Sequence, residues 1–291
     1  MKRPGLLSVS AKGLALAVST WKALGVALLA NAALALAFTL PAAERLRSTL
    51  PAALSLEETA AALWQDGEGA SLLAFGLLSS LLASVMAGGL AGRFGAERDR
   101  GSLSAFGADA GRYFFSSLVL GLVSLCGIGL AGLLFVVAPL TLVDVDGLRY
   151  GWEATGLLLL GLGAFLLAAA AVRLTVAFAR AAIGHSRRGD PFQALARGLG
   201  FLAGRPLRAL GVEVLFGLAA AAPAAYLALA RPWDGRDLRL FALHLAAQQA
   251  VVAWRILCRA GYLGTASAWM RAAAVAARPA PDKVEKEPVW A

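Results

Sequence analysis

The feature that most constrains this chain is a set of apolar blocks, each close to the length of a helix that crosses a bilayer. A transmembrane α-helix needs about 20 consecutive apolar residues. The blocks of that kind are Ala23–Leu40, Ser71–Ala91, Leu118–Leu142, Thr155–Phe178, Leu210–Ala230 and Leu240–Trp254, the last being the shortest. They are continuous and do not alternate with polar residues, which favours helices over barrel strands. The sequence therefore predicts an all-α, polytopic membrane protein with six transmembrane helices.

The composition is typical of a membrane protein, and its change after residue 277 predicts a domain boundary there. The chain is 59% hydrophobic and 15% charged, against about 45–50% and about 25% in soluble domains. Residues 1–277 are predicted to form a single membrane domain. Residues 278–291 are rich in proline and charge and are predicted to be a disordered cytoplasmic tail.

The distribution of basic residues predicts the orientation. With both termini placed in the cytoplasm, the inner segments hold 20 of the 27 Lys and Arg residues and the outer loops hold 6, while Arg173 lies inside the fourth block. This asymmetry is typical of multi-pass proteins of the bacterial inner membrane, whose cytoplasmic loops are basic. The net charge of +9 is accounted for in this way. Nucleic acid is not an expected partner, because the chain has no soluble basic domain to bind it.

A weak internal repetition predicts three duplicated helical hairpins. Arg93, Arg180 and Arg259 lie in similar Gly- and Ala-rich strings, and Arg180 follows Arg93 by 87 residues. Each unit would contain an interfacial helix, a span, an outer loop and a second span. The predicted repeats are 6–93, 102–180 and 190–259, with the three arginines at equivalent inner ends.

Two of these units begin with a segment that reads as an amphipathic helix. Ser102 and Asp190 suit the N-cap position, and Pro191 suits the first helical turn. The apolar face of the first segment holds Leu103, Phe106, Ala110, Tyr113 and Phe114, and that of the second holds Phe192, Leu195, Leu199 and Leu202. Both segments could lie along the inner leaflet or pack on the protein itself, since both arrangements use the same face.

The candidate site is a collar of arginines that binds anionic lipids of the inner leaflet. Its members are Arg173, Arg180, Arg187, Arg188, Arg197, Arg205, Arg208, Arg255 and Arg259. Arg173 is the most deeply placed charge, and it either snorkels to the surface or binds a lipid phosphate or a transported anion. Glu213 is expected to pair with Arg208 or Arg173.

The sixth block carries a second polar group, made of His244, Gln248 and Gln249. These side chains could line a polar cavity or form hydrogen bonds to another helix. Cys126 and Cys258 fall in or beside apolar blocks, and no disulfide is expected between them.

The sequence offers no catalytic residues, and it predicts neither a metal nor a cofactor. Two histidines cannot make a His-rich metal site, and neither a phosphate-binding loop nor a Gly-x-Ser-x-Gly elbow occurs. His185 and Asp190 have the His-x4-Asp spacing of glycerolipid acyltransferases. The surrounding loop is too short for that family's domain, and Asp190 is already explained as a helix cap.

The span pattern and the string "QQAVVAWRILCRAGYLG" at residues 248–264 resemble a broad group of uncharacterised bacterial six-span inner-membrane proteins. Some of these resemble the membrane domain attached to certain glycerophosphodiester phosphodiesterases. No catalytic residue carries over, because the phosphodiesterase domain is missing here. The expected function is that of a non-enzymatic subunit or scaffold of a transport, export or envelope-assembly system, with protein partners in the membrane. A small autonomous transporter or lipid carrier is the first alternative, and a membrane enzyme of lipid metabolism is the second.

Overall fold

The computed structural model describes residues 5–49, 68–95, 101–139, 151–187, 189–229 and 238–276, and these residues are almost entirely helical. The α-helices are α1 (Leu6–Ser19), α2 (Trp21–Thr49), α3 (Glu68–Gly95), α4 (Leu103–Gly132), α5 (Gly151–Ser186), α6 (Pro191–Ala203), α7 (Pro206–Leu229) and α8 (Leu238–Ala276). A π-helical turn, Leu133–Val137, extends α4. No strand occurs among the described residues, so the predicted all-α class is confirmed for this part of the chain.

Several of these helices are long and apolar enough to cross a membrane. The qualifying segments are Ala74–Gly95, Leu103–Val137, Thr155–Ser186 and Pro206–Pro223. Helix α1 and the first part of α2 qualify only as a pair, bent by 72°. Within the described residues, the part of α8 that holds the sixth apolar block does not qualify. Four or five spans are thus supported, and the sixth stays a prediction.

The buried core lies toward one end of the bundle. At 1.5 Å per residue, α5 and α8, with 36 and 39 residues, are about 54 and 58 Å long, well beyond a hydrocarbon layer of about 30 Å. The core residues of α5 begin at Leu174, whereas large apolar side chains of Trp152–Leu167 are exposed. We call the end where α3 and α5 finish and α4 begins the basic end, because most of the predicted arginine collar lies there.

Helices α3, α4 and α5 form an antiparallel set in which glycines allow close contact. Gly88 and Gly92 of α3 face Tyr113 and Asp109 of α4, and the missing side chains allow the two helices to pack closely. At the basic end α3 crosses α5 even more closely, since a Cβ added at Gly184 would overlap the carbonyl oxygen of Ala91. Helix α4 therefore lies in a groove formed by α3 and α5.

The other half of the core joins helices from opposite ends of the sequence. Helix α1 runs antiparallel to the last part of α8, and Gly13 packs against the backbone of Gly264 and Thr265. On one side of this pair Val9, Val212 and Trp269 belong to one apolar cluster. Phe178, Phe201 and Trp269 stack there, with ring centroids 5.0 to 5.9 Å apart. This cluster connects α1, α5, α6, α7 and α8.

The segment around residues 102–114 packs on the protein itself, one of the two expected arrangements, but it does not form the separate helix that was expected. Ser102 does cap a helix, accepting a hydrogen bond from the backbone of Ala105, but that helix runs without a break to Gly132. Phe106, Ala110 and Tyr113 are buried and continue as one stripe through Ser117 and Leu120 against the neighbouring helices. Because the stripe continues and no proline interrupts it, nothing bends the segment into the membrane plane.

Helix α6 is separate, as predicted, and has three faces. Asp190 caps it by accepting hydrogen bonds from the backbone of Phe192 and Gln193, and Pro191 occupies its first turn. The helix packs along α5 through Ala194 and Gly198, which are buried. Phe192 and Leu199, predicted to share one apolar face with Leu195 and Leu202, are exposed. The small residues allow close packing on α5, and the two large apolar residues beside them stay uncovered.

The predicted duplication is not confirmed by the arrangement of the helices. A short helix precedes a long one at α1–α2 and at α6–α7, as the repeat requires, but the second unit has only the continuous α4. Arg93 and Arg180 lie near the ends of their helices, whereas Arg259 is followed by 17 more helical residues of α8. The repeat stays a prediction.

Candidate functional site

A small polar cleft opens at the basic end, between the end of α3, the start of α4 and the end of α5. Its volume is about 160 Å³, and its lining residues are Gly92, Arg93, Gly95, Asp109, Arg112, Tyr113, Gly184 and Arg187. The three arginines exceed the single aspartate, so the lining carries an excess of positive charge. We call this space the polar cleft.

One ion pair forms the wall of the polar cleft. Arg93 donates from Nε to Oδ2 of Asp109 at 2.6 Å, and its Nη2 contacts the same oxygen. Gly92 makes this approach possible, because a Cβ there would overlap the Asp109 carboxylate. Arg93 neutralises the charge of Asp109. Arg112 and Arg187 are therefore the remaining cationic side chains that face the polar cleft.

Arg187 is held by an unusual backbone. Its φ of 52° is left-handed, a conformation in which glycine or asparagine normally ends a helix. The backbone N–H of Arg187 donates to the carbonyl of Ile183 at 3.0 Å. Two residues later, the carbonyl of Gly189 accepts a hydrogen bond from the buried Ser116 hydroxyl of α4. The turn that carries Arg187 is therefore fixed against α4 beside the polar cleft.

Arg173 lies at the level where the exposed apolar side chains of α5 end. Its Nε lies 3.1 Å from Oε1 of Glu213 on α7 and forms an ion pair with it, and the side chains are 53% and 10% exposed, respectively. Glu213 was expected to pair with Arg208 or Arg173, and the structure selects Arg173. Tyr262 of α8 lies beside the carboxylate, and burial, followed by the charge of Glu213, raises the pKa of the tyrosine well above its usual value.

Arg180 points into the junction of α3, α4 and α5. Its Nη2 donates to the carbonyl of Ser117 at 3.5 Å, and its buried Nε has no hydrogen-bond partner among the described residues. Ser84 and Gly121 border the guanidinium, since a Cβ added at Gly121 would lie in ordinary contact, 3.6 Å from Ser84 Oγ and 3.7 Å from Arg180 Nη2. Arg180 is thus part-buried among the three helices, with its Nε closed to solvent.

Arg255 and Arg259 lie one turn apart on α8 and are exposed. Partial burial, followed by the positive charges of Arg255 and Arg173, lowers the pKa of Arg259. Arg259 in turn lies close enough to act electrostatically on Arg180. Arg173, Arg180, Arg255 and Arg259 therefore form a chain of neighbouring cations, with Glu213 as the ion-pair partner of Arg173. The lipid-binding collar stays a prediction.

The remaining predicted members lie on or near α6. Arg197 and Arg208 are exposed, and the guanidinium of Arg205 lies 4.7 Å from the ring centroid of Phe201. Arg188 lies outside the described residues, and so does the side chain of His244. Gln248 is exposed and Gln249 is half-buried; the cavity predicted for these two stays a prediction.

The polar cleft adds residues that sequence reasoning did not select. Arg93 was noted only as a repeat marker, and Tyr113 only as part of the apolar face of a helix. A usable signal was present, since Gly92, Arg93 and Gly95 stand together in the sequence and permit close approach to a neighbouring helix. The partner of that approach, Asp109, could not be found without the fold.

The spacing of His185 and Asp190 does not produce a paired catalytic site. His185 Nδ1 lies 2.8 Å from the carbonyl of Ala181, one turn earlier on the same helix. The Asp190 carboxylate accepts hydrogen bonds from the backbone N–H groups of Phe192 and Gln193 at the start of α6. The carboxylate thus acts as the helix cap that the sequence suggested.

No protein-family model, curated protein or solved structure matches the chain.

Proposed function

We propose that this chain is a six-span protein of the bacterial inner membrane, with both termini in the cytoplasm, that acts as a non-enzymatic subunit or scaffold of a membrane assembly. The assembly would serve transport, export or construction of the envelope. The proposal combines the basic-residue asymmetry of the sequence with the uneven packing of the helices. The basic end would meet the cytoplasmic leaflet, where each basic residue adds on the order of 1 kcal/mol of attraction to anionic lipid.

The observation that carries the scaffold proposal is the uncovered length of the long helices. The candidate membrane spans of α4 and α5 are Leu103–Val137 and Thr155–Ser186. In an apolar 18-residue stretch of each, only 11% of the residues are buried. Leu125 on α4 and Leu160 on α5 are 67% and 74% exposed. Lipid covers part of such a surface, and helices of a partner membrane protein are the other covering that keeps it from water.

Helix α6 supports the orientation. Its polar face carries Gln193 and Arg197, and its exposed apolar face carries Phe192 and Leu199. A helix packed on the protein by a third face would present the apolar pair to the lipid and the polar pair to the cytoplasm. It would thus lie at the boundary between the membrane and water.

Cysteine labelling tests the orientation and the placement of α6 together. In a chain whose Cys126 and Cys258 are replaced by alanine, Glu57→Cys should react with an impermeant maleimide only from the outer side. Arg197→Cys should react only in inverted vesicles. Leu199→Cys, on the same helix, should react much more slowly, because lipid covers it. Labelling of Glu57→Cys from the cytoplasmic side alone would overturn the orientation.

The assembly itself is tested by crosslinking in native membranes. A photo-crosslinking residue at Leu125 or Leu160 should join the 29.9 kDa chain to the same partner of defined mass in high yield. A probe at Leu207, exposed at the basic end, serves as the matched control and should give a different pattern. If both span positions capture only lipid, and the extracted protein is a lone chain, the scaffold proposal is wrong.

A small transporter or lipid carrier is the second candidate function, and one observation favours it. Arg173 and Arg180 bring two cationic side chains toward the helix junctions at the basic end of the apolar region. Intramembrane charges of this kind mark ion or substrate pathways in many transporters. Uptake of an anionic solute or lipid by vesicles that contain the purified chain alone would favour this function over the scaffold.

A further inference from the structure

The polar cleft has the size and the access that a small oxyanion needs. Its volume of about 160 Å³ is that of several water molecules at about 30 Å³ each, and a phosphate group is no larger. The exposed Arg112 and Arg187 line it together with the buried Gly92, Tyr113 and Gly184. The cleft therefore opens to solvent on one side and ends against the core on the other.

The charges of the polar cleft favour an anion. Asp109 is the acidic residue among its lining residues, and the Asp109 carboxylate already contacts Nε and Nη2 of Arg93. Neither Arg112 nor Arg187 forms an ion pair with an acidic residue that the structure describes. A concave space that faces two such cations has a positive potential, which raises the local concentration of anions.

The backbone that carries Arg187 points to a use of its side chain. With φ at 52°, this position suits glycine, and a larger residue adopts the conformation at a cost. Residues kept in unfavourable backbone conformations cluster at binding and catalytic sites. The contact between Ser116 and the carbonyl of Gly189 holds the same turn against α4, so the arginine is presented to the cleft by a fixed segment.

The polar cleft also lies where a lipid headgroup would be within reach. The candidate spans Ala74–Gly95 and Thr155–Ser186 both end beside it. Phe115 follows Arg112 by three residues, which places the two side chains on the same side of α4, and Phe115 is 71% exposed. An apolar surface thus begins one helical turn from the cleft, as the acyl chains of a bound lipid require.

We propose that Arg112 and Arg187 bind a phosphate group in the polar cleft. A guanidinium presents a planar fork of N–H donors that matches two oxygens of a phosphate. The ion pair between Arg93 and Asp109 forms a neutral wall, so the carboxylate does not repel the ligand. The phosphate belongs either to an anionic phospholipid or to free inorganic phosphate, which offer the same oxyanion. This proposal does not depend on the scaffold function.

The test uses the full-length chain in nanodiscs of phosphatidylcholine, with or without phosphatidylglycerol, or with added inorganic phosphate. Native mass spectrometry counts retained phosphatidylglycerol, and thermal unfolding reports stabilisation by either probe. Arg112→Gln should weaken binding by about tenfold, because it removes a charge-assisted contact. Arg208→Gln removes the same charge from an exposed position outside the cleft and should change binding less than about twofold.

Arg187→Gly separates ligand binding from stability. Glycine adopts the left-handed backbone without strain, so the variant without ligand should unfold at or above the wild-type temperature. Its binding should nevertheless fall by about tenfold, because one of the two guanidiniums is lost. A purely structural role for Arg187 would leave binding at the wild-type level, and that result would count against the site.

The two sources of phosphate give different results. Retention of phosphatidylglycerol that depends on Arg112 and Arg187, with no stabilisation by inorganic phosphate, identifies the lipid headgroup as the ligand. Stabilisation by inorganic phosphate in phosphatidylcholine alone, lost in the same variants, identifies the free anion. The proposal is wrong if the wild-type chain binds neither probe, or if both cleft variants bind as well as Arg208→Gln.

Discussion

Replacing Gly184 by alanine is expected to disrupt the packed core at the basic end. The added Cβ would overlap the carbonyl oxygen of Ala91, and Gly95 faces the backbone of Gly184 in the same crossing. Both obstacles are backbone atoms, so no side-chain rotation relieves them and the helices must separate. Overpacking of this kind costs about 3 kcal/mol. Thermal unfolding in detergent should show the loss as a lower midpoint, with part of the purified protein aggregated.

Gly107→Ala and Gly111→Ala are the matched controls for this experiment. Both glycines lie inside α4 with no atom near the position of an added Cβ. Alanine there should be neutral or stabilising by up to about 1 kcal/mol, because it restricts the unfolded chain and suits a helix. If Gly184→Ala unfolds at the same temperature as these controls, the close crossing of α3 and α5 is wrong.

Arg173→Gln should destabilise the protein considerably more than Glu213→Gln, although both changes break the same ion pair. The Glu213 side chain is 10% exposed and that of Arg173 is 53% exposed. Loss of the arginine leaves a buried carboxylate without its counter-ion. With a discount for the solvent that reaches Arg173, the expected cost is about 2 kcal/mol. Loss of the glutamate leaves only a half-exposed cation, and the cost should stay below about 1 kcal/mol.

The double variant Arg173→Gln/Glu213→Gln provides the control for this asymmetry. It should unfold close to the temperature of Glu213→Gln alone, because the buried charge that makes Arg173→Gln costly is no longer present. The unfolding midpoints of the wild type, the two single variants and the double variant, measured under the same conditions, test this asymmetry. Equal destabilisation by the two single changes would mean that burial of the carboxylate does not govern this pair.

The sequence was sufficient for the class of fold and for the local signals at helix ends. Continuous apolar blocks predict long helices, and the two N-caps, Ser102 and Asp190, are where the residue preferences placed them. These features depend on residues close together in the chain, so their physical basis is visible in the sequence. The Arg173–Glu213 pair was among the expected alternatives because both residues stand out as charges in or beside apolar blocks.

The sequence could not tell which face of each helix would be covered. Phe192 and Leu199 look like core residues on a helical wheel, yet the smaller Ala194 and Gly198 make the contact with α5. The choice depends on the shape of the neighbouring helix, which periodicity does not contain. Arg180 illustrates the same limit, since its position six residues before the end of α5 suggested a surface charge and the packing of α4 beside it left it part-buried.

The pairing of α1 with α8 has a consequence for biosynthesis. A ribosome makes α1 some 240 residues before the stretch of α8 that receives it. Until then the stripe of Val9, Gly13 and Ala17 lacks its contact with α8, although these residues are buried in the finished protein. Insertion of the individual helices can proceed in order, but the assembly of this contact must wait for α8. A chain that stalls before α8 emerges would present an open apolar stripe, the kind of surface that chaperones and membrane proteases recognise.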